Sequence, residues 1–295
     1  MKTSPLITVI VVNYNYGRYL AECVDSVIAQ TYPNMEIIVV DDGSTDNSLN
    51  ILQSYNGKVF VLHQENKGVS AARNAGVLAS NGEWVAFLDS DDTWQPEKLQ
   101  RQSSCIEDSA VGMVFCAVEY MDDSGRHLGY TRPQLGSDVL AQLVTFTSPT
   151  IAPSSAVVRR ECLRDLGGFD EDLSTAADLD MWTRIAAKYK ICAITTPLVR
   201  YRRHSQSMQS NLALFENDNY RVLTKVFSAP SCARVHHLRR RSLGRFYMIL
   251  SGSYFKQGNW RRAIDCTFKA LSYQPQELGY LLGFPVRAFR RLLPL

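Results

Sequence analysis

The chain has 295 residues, 45% of them apolar, so it can form one large globular domain, alone or with an extension. Its seven cysteines are odd in number and not spaced like zinc ligands, which argues against disulfides or a zinc site and for a reducing cytoplasm. No apolar run approaches the ~20 residues that cross a bilayer. Residues 1–5 lead directly into the first predicted strand, so we expect no signal peptide.

Charge divides the chain into two unequal parts. Residues 1–199 contain 15 Lys and Arg against 25 Asp and Glu, whereas residues 200–295 contain 17 against 4. The acidic part suits a metal and nucleotide site, and the basic part suits an anionic partner such as a membrane surface, nucleic acid or an acidic glycan. We expect no nucleic-acid binding, because the aromatic residues are not arranged as base-stacking platforms.

Strands and helices alternate in the first third of the chain. Strands are predicted at 6–12, 37–40, 59–62 and 84–88, and helices at 18–29, 44–55 and 70–80. This order predicts an α/β fold with a mostly parallel central sheet that is covered by helices on both faces.

The remaining sequence is less regular. Helices are predicted at 96–109, 160–166 and 179–190, strands at 112–120, 154–159 and around 192–195, and irregular structure at 122–153. We place a domain boundary near residue 205 and predict that residues 206–295 form a basic helical extension. Its predicted helices at 243–256 and 260–273 resemble one tetratricopeptide-type pair, which cannot bury its own face and should pack on the main domain or on a partner.

Two predicted strands end in clusters of carboxylates. The strand at 37–40 leads into Asp41 and Asp42, and the strand at 84–88 leads into residues 89–92, three of which are Asp. Ligands of open α/β sheets bind at the carboxyl ends of the strands. Since clustered carboxylates repel one another, a divalent cation and a nucleotide would give these clusters a purpose.

Eight short motifs follow one another along the first two thirds of the chain. They are Val-Ile-Val-Val-Asn-Tyr-Asn at 9–15, Gln-Thr-Tyr at 30–32, Val-Val-Asp-Asp-Gly-Ser-Thr-Asp at 39–46, Asn-Lys-Gly at 66–68 with Ala-Ala-Arg-Asn at 71–74, Phe-Leu-Asp-Ser-Asp-Asp at 87–92, Gly-Gly-Phe-Asp at 167–170, Asp178 with Trp182, and Tyr201 and Arg202 with His204. In this order and spacing they resemble glycosyltransferase family 2, which consists of inverting transferases with a GT-A fold.

The resemblance implies a Rossmann-like GT-A catalytic domain over residues 1–205. Residues 1–110 would form its nucleotide-sugar half and residues 111–205 its acceptor half. It also implies Mn²⁺ or Mg²⁺ as cofactor, a nucleotide-sugar donor such as a UDP-sugar, and a glycan or lipid-linked acceptor in cell-surface polysaccharide or glycoconjugate assembly.

The resemblance further assigns residues to the nucleotide. Tyr14 would stack on the base, and Asp42 would accept a hydrogen bond from uracil N3–H. For Asp41, base binding and a role in capping a helix or orienting the ribose stay equally open. The other predicted nucleotide contacts are Asn13, Gly68, Arg73 and Asp89, with Asn74 and Arg202 as further donor contacts.

The metal would be held at the second acidic cluster, the DxD element of the family. Either Asp91 or Asp92 is the expected carboxylate ligand, and the sequence does not decide between them. His204 or Arg202 would reach the metal or the pyrophosphate. The alternatives are that Arg202 begins the basic tail and that His204 is a surface histidine.

Asp178 is the predicted general base, which takes the proton of the acceptor hydroxyl during inversion. Ala177 stands where the family commonly has Glu, which puts the acceptor contacts in doubt. Asp180 is the rival carboxylate, but on a helix it would point to a different face from Asp178. The structural alternative for Asp178 is a helix N-cap.

Three other functions are weighed against the transferase. An aspartate-nucleophile phosphohydrolase would use the Asp-x-Asp-x-Thr sequence at 89–93, but that motif expects Gly at the position of Asp92. A scaffold would keep the fold and work through its helical tail. A sugar nucleotidyltransferase needs a glycine-rich phosphate loop, which does not follow the first strand.

Residues 278–295 combine leucines and phenylalanines with three arginines. Such a segment suits a helix in a membrane interface, which would make the protein peripheral on the inner face of the cell membrane. The alternative, held at equal weight, is that its apolar residues pack on the catalytic domain.

Overall fold

The structure is a computed structural model that describes residues 4–147, 151–204 and 211–277. Within these residues the strands are β1 (Ile7–Asn13), β2 (Met35–Asp41), β3 (Phe60–His63), β4 (Trp84–Asp89), β5 (Thr93–Trp94), β6 (Val111–Met121), β7 (His127–Thr131), β8 (Val157–Arg159) and β9 (Lys190–Arg202). The α-helices are α1 (Gly17–Ile28), α2 (Ser48–Gln53), α3 (Val69–Ala79), α4 (Lys98–Ser103), α5 (Val139–Val144), α6 (Arg160–Asp165), α7 (Ala177–Lys188), α8 (Leu212–Ser228), α9 (Arg239–Lys256) and α10 (Trp260–Tyr273).

The strands form one sheet in the order β3-β2-β1-β4-β8-β6-β9-β5, and β7 pairs with β6. The pairs among β1, β2, β3 and β4 are parallel, as is the long pair of β6 and β9. Every antiparallel pair involves one of the shorter strands β5, β7 and β8. The predicted α/β fold with a mostly parallel sheet is therefore confirmed for the elements that carry the acidic clusters.

Helices cover both faces of the sheet, and β1 is accordingly apolar at five of its seven positions. Ile10 and Val12 enter one core with side chains of α3, α5, α7 and α8, whereas Val9 and Val11 enter another with α1, α2 and α4. Successive side chains of a strand point to opposite faces, so a strand buried on both faces is mostly apolar, and the two polar side chains of β1 donate hydrogen bonds to carboxylates of the neighbouring chain segments. Burial on both sides fixes where each strand ends, and hence where the residues after it lie.

Several elements differ from their predicted bounds. Helix α2 begins at Ser48 rather than at residue 44, because the side chains of Asn13 and Asn15 hold residues 44–46 in a loop. The stretch predicted as irregular, 122–153, contains β7 and α5. Strand β9 is much longer than predicted and pairs with β6 along its length through several register shifts.

The described part of the helical extension packs in two directions. Val222 and Val226 of α8 lie in the core beneath the sheet, whereas Leu223 of the same helix belongs to the core that α9 and α10 form. Helix α10 has the bounds predicted for it, and its N-cap Asn259 accepts a hydrogen bond from the Arg262 amide. The boundary near residue 205 stays a prediction.

The predicted interfacial helix at 278–295 lies outside the described residues. Among the helices that are described, none has both the length and the apolar character that crossing a bilayer requires.

Candidate active site

A cleft of about 640 Å³ opens at the carboxyl ends of β1, β2 and β4. Its lining includes eight of the predicted site residues: Asn13, Tyr14, Asp42, Gly68, Arg73, Asp89, Asp91 and Asp178. Five others do not line it: Asp41, Asn74, Asp92, Arg202 and His204. The residues of the two acidic strand ends and the start of α7 thus meet at one place, although nearly 140 residues of sequence separate the first from the last.

Asp41 organises the loops behind the cleft. Its carboxylate is fully buried and accepts hydrogen bonds from Asn13 Nδ2 at 3.0 Å and from the Ser44 amide at 3.1 Å. The ring Nδ1 of His63 lies 2.9 Å from Asp41 Oδ2, the oxygen that also accepts from the Ser44 amide. Asp41 therefore ties the ends of β1, β2 and β3 together.

Asp42 lies at the cleft and fixes the loop that leads into α3. Its Oδ1 accepts hydrogen bonds from Gln64 Nε2 at 2.7 Å and from the Lys67 amide at 2.9 Å, and its Oδ2 accepts one from the Gly68 amide at 2.8 Å. Gly68 has a φ of 90°, a conformation that side-chain-bearing residues rarely adopt. Tyr14 stands at the rim of the same cleft with 45% of its surface exposed.

Arg73 faces the cleft from α3 and pairs with Asp89 at the end of β4. The distance from Arg73 Nη2 to Asp89 Oδ1 is 2.8 Å, and the guanidinium side chain is only 5% exposed. The Asp89 side chain is 27% exposed, so solvent screens this partly buried ion pair less than a surface one.

Three buried polar atoms of the cleft residues have no hydrogen-bond partner in the described part of the chain. They are Asn13 Oδ1, Arg73 Nε and Ser90 Oγ. Buried polar groups are almost always hydrogen-bonded, so each such atom needs an explanation. One acceptor, one cationic donor and one hydroxyl together suit a polar, anionic ligand.

The two adjacent aspartates of the DxD element have different surroundings. Asp91 lines the cleft, and its Oδ2 lies 3.0 Å from Nε2 of His204, whose side chain is 2% exposed. Asp92 is buried, with Oδ2 accepting a hydrogen bond from Ser154 Oγ at 2.5 Å and Oδ1 accepting one from the Arg202 amide at 2.9 Å. Burial, together with the charges of Asp91 and Asp89, raises the pKa of Asp92 well above its usual range.

Arg202 and Asn74 support the cleft from outside its lining. Arg202 Nε donates to the backbone oxygen of Asp91 at 2.9 Å, and its Nη2 donates to Glu22 Oε2 at 2.6 Å. Asn74 exchanges two hydrogen bonds with the backbone of Phe169, in the Gly-Gly-Phe-Asp motif. Both side chains contact protein groups here, and their direct contact with the donor stays a prediction.

Asp178 and Asp180 do point to different faces of α7. Asp178 lines the cleft, and burial raises its pKa from 3.8 to about 6, although the nearby Arg73 guanidinium lowers it. Asp180 is 1% exposed and lies away from the cleft, with Oδ2 2.6 Å from Arg184 Nη2 and Oδ1 2.6 Å from Lys225 Nζ. Asp180 is thus held in ion pairs, whereas Asp178 is available to a ligand in the cleft.

Sequence reasoning missed several residues of the site. Ser174 and Thr175 line the cleft beside Asp178, and Pro153 lines it after the unpredicted helix α5. Asp218 of α8 lies behind this wall and accepts hydrogen bonds from both Ser174 and Thr175. No local motif marks these residues, because they act through contacts between segments that are distant in sequence.

No group of three or more His, Cys, Asp or Glu side chains is arranged to hold a metal ion in residues 4–147, 151–204 and 211–277. Asp91 and His204 are the two predicted ligands that lie within 3.0 Å of each other. A carboxylate and an imidazole are acceptable ligands for Mn²⁺, and a carboxylate alone is acceptable for Mg²⁺. These residues fit the metal only if a bound ligand supplies the remaining coordination.

Solved structures of similar fold include two glycosyltransferase complexes. The chain superposes with a TM-score of 0.65 on a fragment of Staphylococcus aureus TarS in complex with UDP-GlcNAc, at 18% identity and covering 92% of this chain and 91% of that one. It superposes with a TM-score of 0.64 on the mannosyltransferase PcManGT from Pyrobaculum calidifontis in complex with GDP-Man and Mn²⁺, at 22% identity and covering 98% and 84%. These similarities show the GT-A fold.

Sequence comparisons identify the family. An uncharacterised glycosyltransferase of Rickettsia felis is 30% identical over 230 residues, which span 76% of this chain and 38% of the length of that relative. The sequence profile described as Glycosyl transferase family 2 matches residues 8–167, more than half of the chain. These matches favour a glycosyltransferase over the phosphohydrolase. The chain therefore belongs to glycosyltransferase family 2.

Proposed function

We propose that the protein is a metal-dependent, inverting glycosyltransferase that moves a sugar from a UDP-sugar to a glycan or lipid-linked acceptor. The observation that carries the proposal is the single cleft in which Asp42, Arg73, Asp91 and Asp178 meet. A donor diphosphate and a reacting hydroxyl need opposite provisions, namely positive charge for the first and a carboxylate base for the second. This cleft offers both.

The nucleotide would lie at the ends of β1 and β2. Tyr14, exposed at the rim, offers a ring face to the base, and Asp42 offers a carboxylate that its loop contacts already orient. We assign uracil to this position because a carboxylate accepts the hydrogen bond of N3–H. Asn13 Oδ1 and Ser90 Oγ would find hydrogen-bond partners on the ribose or the phosphates.

Asp91 with His204 would hold the cation, since Asp92 lies outside the cleft and both its oxygens accept hydrogen bonds from the protein. A bound Mn²⁺ or Mg²⁺ would neutralise the charge that develops on the departing diphosphate. Arg73 contributes positive charge on the same side, and its Nε–H would donate to the donor molecule. Arg202 keeps the backbone of Asp91 in place.

Asp178 would take the proton of the acceptor hydroxyl. Its carboxylate faces the cleft, and its raised pKa makes it a stronger base than an exposed aspartate while leaving it mostly ionised at neutral pH. Ala177 is fully buried, so it leaves the acceptor contacts to other residues, among them Ser174 and Thr175. The protein would act in cell-surface glycan assembly at the inner face of the membrane, which its basic extension would contact.

The test is release of UDP from a panel of UDP-sugars and of GDP from GDP-mannose, with Mn²⁺ or Mg²⁺ and then with EDTA. We expect release from one UDP-sugar, loss of release with EDTA, and faster release when membrane extract supplies an acceptor. Asp91→Ala should reduce release on the order of 100-fold or more, because the protein loses its carboxylate ligand.

Glu107→Gln is the matched control, since Glu107 is exposed before the start of β6, at the opposite end of the strands from the cleft. It removes one negative charge without touching the site and should leave release unchanged. Release that resists EDTA would contradict the metal dependence, and release from GDP-mannose alone would contradict the assignment of uracil. No release from any donor would contradict the proposed function.

A further inference from the structure

Helix α8, which lies beyond the predicted domain boundary, contacts the segment that leads into α7 through charged side chains on one face. Asp218, Arg221 and Lys225 are spaced by three and four residues, the spacing that brings side chains to the same side of a helix. Arg221 Nη1 donates to the backbone oxygen of Asp172 at 2.9 Å. Lys225 Nζ lies 2.8 Å from Asp170 Oδ2, which precedes α7, and 2.6 Å from Asp180 Oδ1 in the first turn of α7, so it links this segment to the helix.

Asp218 makes the most specific of these contacts. Its side chain is 1% exposed, and its Oδ2 accepts hydrogen bonds from the Ser174 amide at 3.1 Å, the Thr175 amide at 2.9 Å and Thr175 Oγ1 at 3.0 Å. Hydrogen bonds to an ionised acceptor are stronger than neutral ones. Three of them ending on one oxygen fix two consecutive peptide groups and one side chain.

The segment that Asp218 holds carries the wall of the cleft. Ser174 and Thr175 line the cleft, and Asp178 lines it three residues further on. The intervening Ala176 is the N-cap of α7 and has no side chain that could cap the helix. The start of α7 therefore takes its position from buried packing, from the hydrogen bond that Ser70 Oγ donates to the Leu173 carbonyl oxygen, and from the hydrogen bonds that Asp218 accepts at the next two residues.

We propose that Asp218 is a positioning residue, which holds residues 174–175 so that the Asp178 carboxylate faces the cleft. This inference rests on the proposed function, because the role of Asp178 as base is itself proposed. Asp218 touches neither the donor side of the cleft nor Asp178, so it acts only through the segment between them. The catalytic unit then extends past residue 205 and includes α8.

Asp218→Ala and Asp218→Asn in the full chain test the inference through two readouts. The first is steady-state UDP release from the UDP-sugar that the wild type uses, and the second is amide hydrogen exchange of residues 174–175. Asp218→Ala should speed exchange at these amides and lower kcat on the order of 100-fold, as small displacements of a reacting group do, with the KM for the donor unchanged. Asp218→Asn can keep a carbonyl oxygen at the position of Oδ2, so it should restore most of kcat.

Glu216→Gln is the matched control on the same helix. Glu216 accepts hydrogen bonds from Tyr254 and Arg262, so its loss disturbs the contact of α8 with α9 and α10 and leaves residues 174–175 alone. It should lower the melting temperature without changing kcat or exchange at 174–175. Equal losses of kcat in Asp218→Ala and Glu216→Gln would overturn the inference, because they would show a general effect of stability.

The exchange readout separates this inference from the proposed function. If Asp218→Ala does not fold, Asp218→Asn carries the test, since its weaker neutral hydrogen bonds should still speed exchange at 174–175 several-fold. Unchanged exchange would overturn the inference. A wild type with protected amides but no activity on any donor would contradict the proposed function and, with it, a catalytic role for Asp218.

Discussion

The aspartates at the wall of the cleft differ from those directly behind it. Asp42, Asp91 and Asp178 line the cleft, and we call them the front carboxylates. Asp41, Asp92 and Asp180 are each within two residues of a front carboxylate, yet they are 0%, 1% and 1% exposed, and we call them the back carboxylates. Each back carboxylate accepts its hydrogen bonds or ion pairs from the protein.

This difference shows that the acidic residues around the cleft form two layers, one that lines the cleft and one that is buried behind it. The back carboxylates join loops and helices through buried hydrogen bonds and ion pairs, and the front carboxylates keep a surface that faces the cleft. Asp42 is intermediate, since it lines the cleft and also orients the loop at residues 64–68. Mutation of a front carboxylate should mainly lower activity, whereas mutation of a back carboxylate should mainly lower stability.

The largest effect is expected for Asp178→Asn, which sharpens the comparison at the front. Removing a general base costs about 10²–10⁴ in rate, so kcat should fall by this amount while the donor still binds. Because burial raises the pKa of Asp178 in the folded chain from 3.8 to about 6, folding loses stability as pH rises from about 4 to 6 and stays lower above. Asn carries no charge and does not lose this stability. Calorimetry at pH 8 should therefore show a higher melting temperature for the variant than for the wild type. A variant that is as active as the wild type would remove Asp178 from the mechanism.

Asp180→Asn tests the back layer in the same helix. It removes the partner of Arg184 and Lys225, whose side chains are 25% and 45% exposed, and losing hydrogen bonds to a charged group costs about 2 kcal/mol of unfolding free energy. Denaturation with urea should show this loss, while kcat per folded molecule should fall far less than in Asp178→Asn. The control is Asp165→Asn, whose pair with Lys188 is exposed on both sides and should contribute below about 1 kcal/mol. Equal stability of the two variants would break the comparison.

Asp41→Ala tests the back layer at the strand ends. It leaves the Asn13 amide group and the Ser44 amide without their acceptor, at a cost of about 2 kcal/mol in unfolding free energy. Because these groups fix the loop after β1, the KM for the donor should also rise. Asp25→Ala, an exposed residue of α1 that accepts one hydrogen bond from Tyr55, is the control. A change in kcat with unchanged stability would place Asp41 at the front instead.

Sequence alone predicted the parts of the site that depend on local pattern. Largely apolar runs located β1, β2 and β4, and the carboxylates after β2 and β4 were expected to lie together because ligands of such sheets bind at the carboxyl ends of the strands. Gly258 and Asn259 likewise located the start of α10, since Gly258 forms the turn before it and Asn259 is its N-cap. Strands, caps and turns such as these depend on residues close together in sequence, so the sequence predicts them.

The division into layers could not be predicted, because it depends on contacts between distant segments. Asp91 and Asp92 are adjacent and identical in type, and they differ in distant partners: Ser154 and the Arg202 amide for Asp92, and His204 for Asp91. Asp218 lies 40 residues after Asp178 in a helix without a motif, so nothing local marks it. Residues 44–46 lie outside α2 for the same reason, since Asn15 Oδ1 accepts hydrogen bonds from the amides of residues 45 and 46.

The pH dependence of the wild type gives the smallest effect and the finest test of the front layer. Asp178 must be ionised to accept a proton, so with a pKa of about 6 the value of kcat/KM should fall about tenfold per pH unit below pH 6 and be level above it. The charges that face Asp178 come from Arg73 of α3, which lowers its pKa, and Asp89 of β4, which raises it. Arg73→Met should therefore move the acidic limb of the profile to higher pH, whatever it does to the absolute rate. Asp180→Asn should leave the limb in place, since Asp180 lies behind the wall. An acidic limb near pH 4 in the wild type would mean that Asp178 is hydrated in the working enzyme. Burial would then not make Asp178 a better base, and front and back carboxylates would differ only in their contacts.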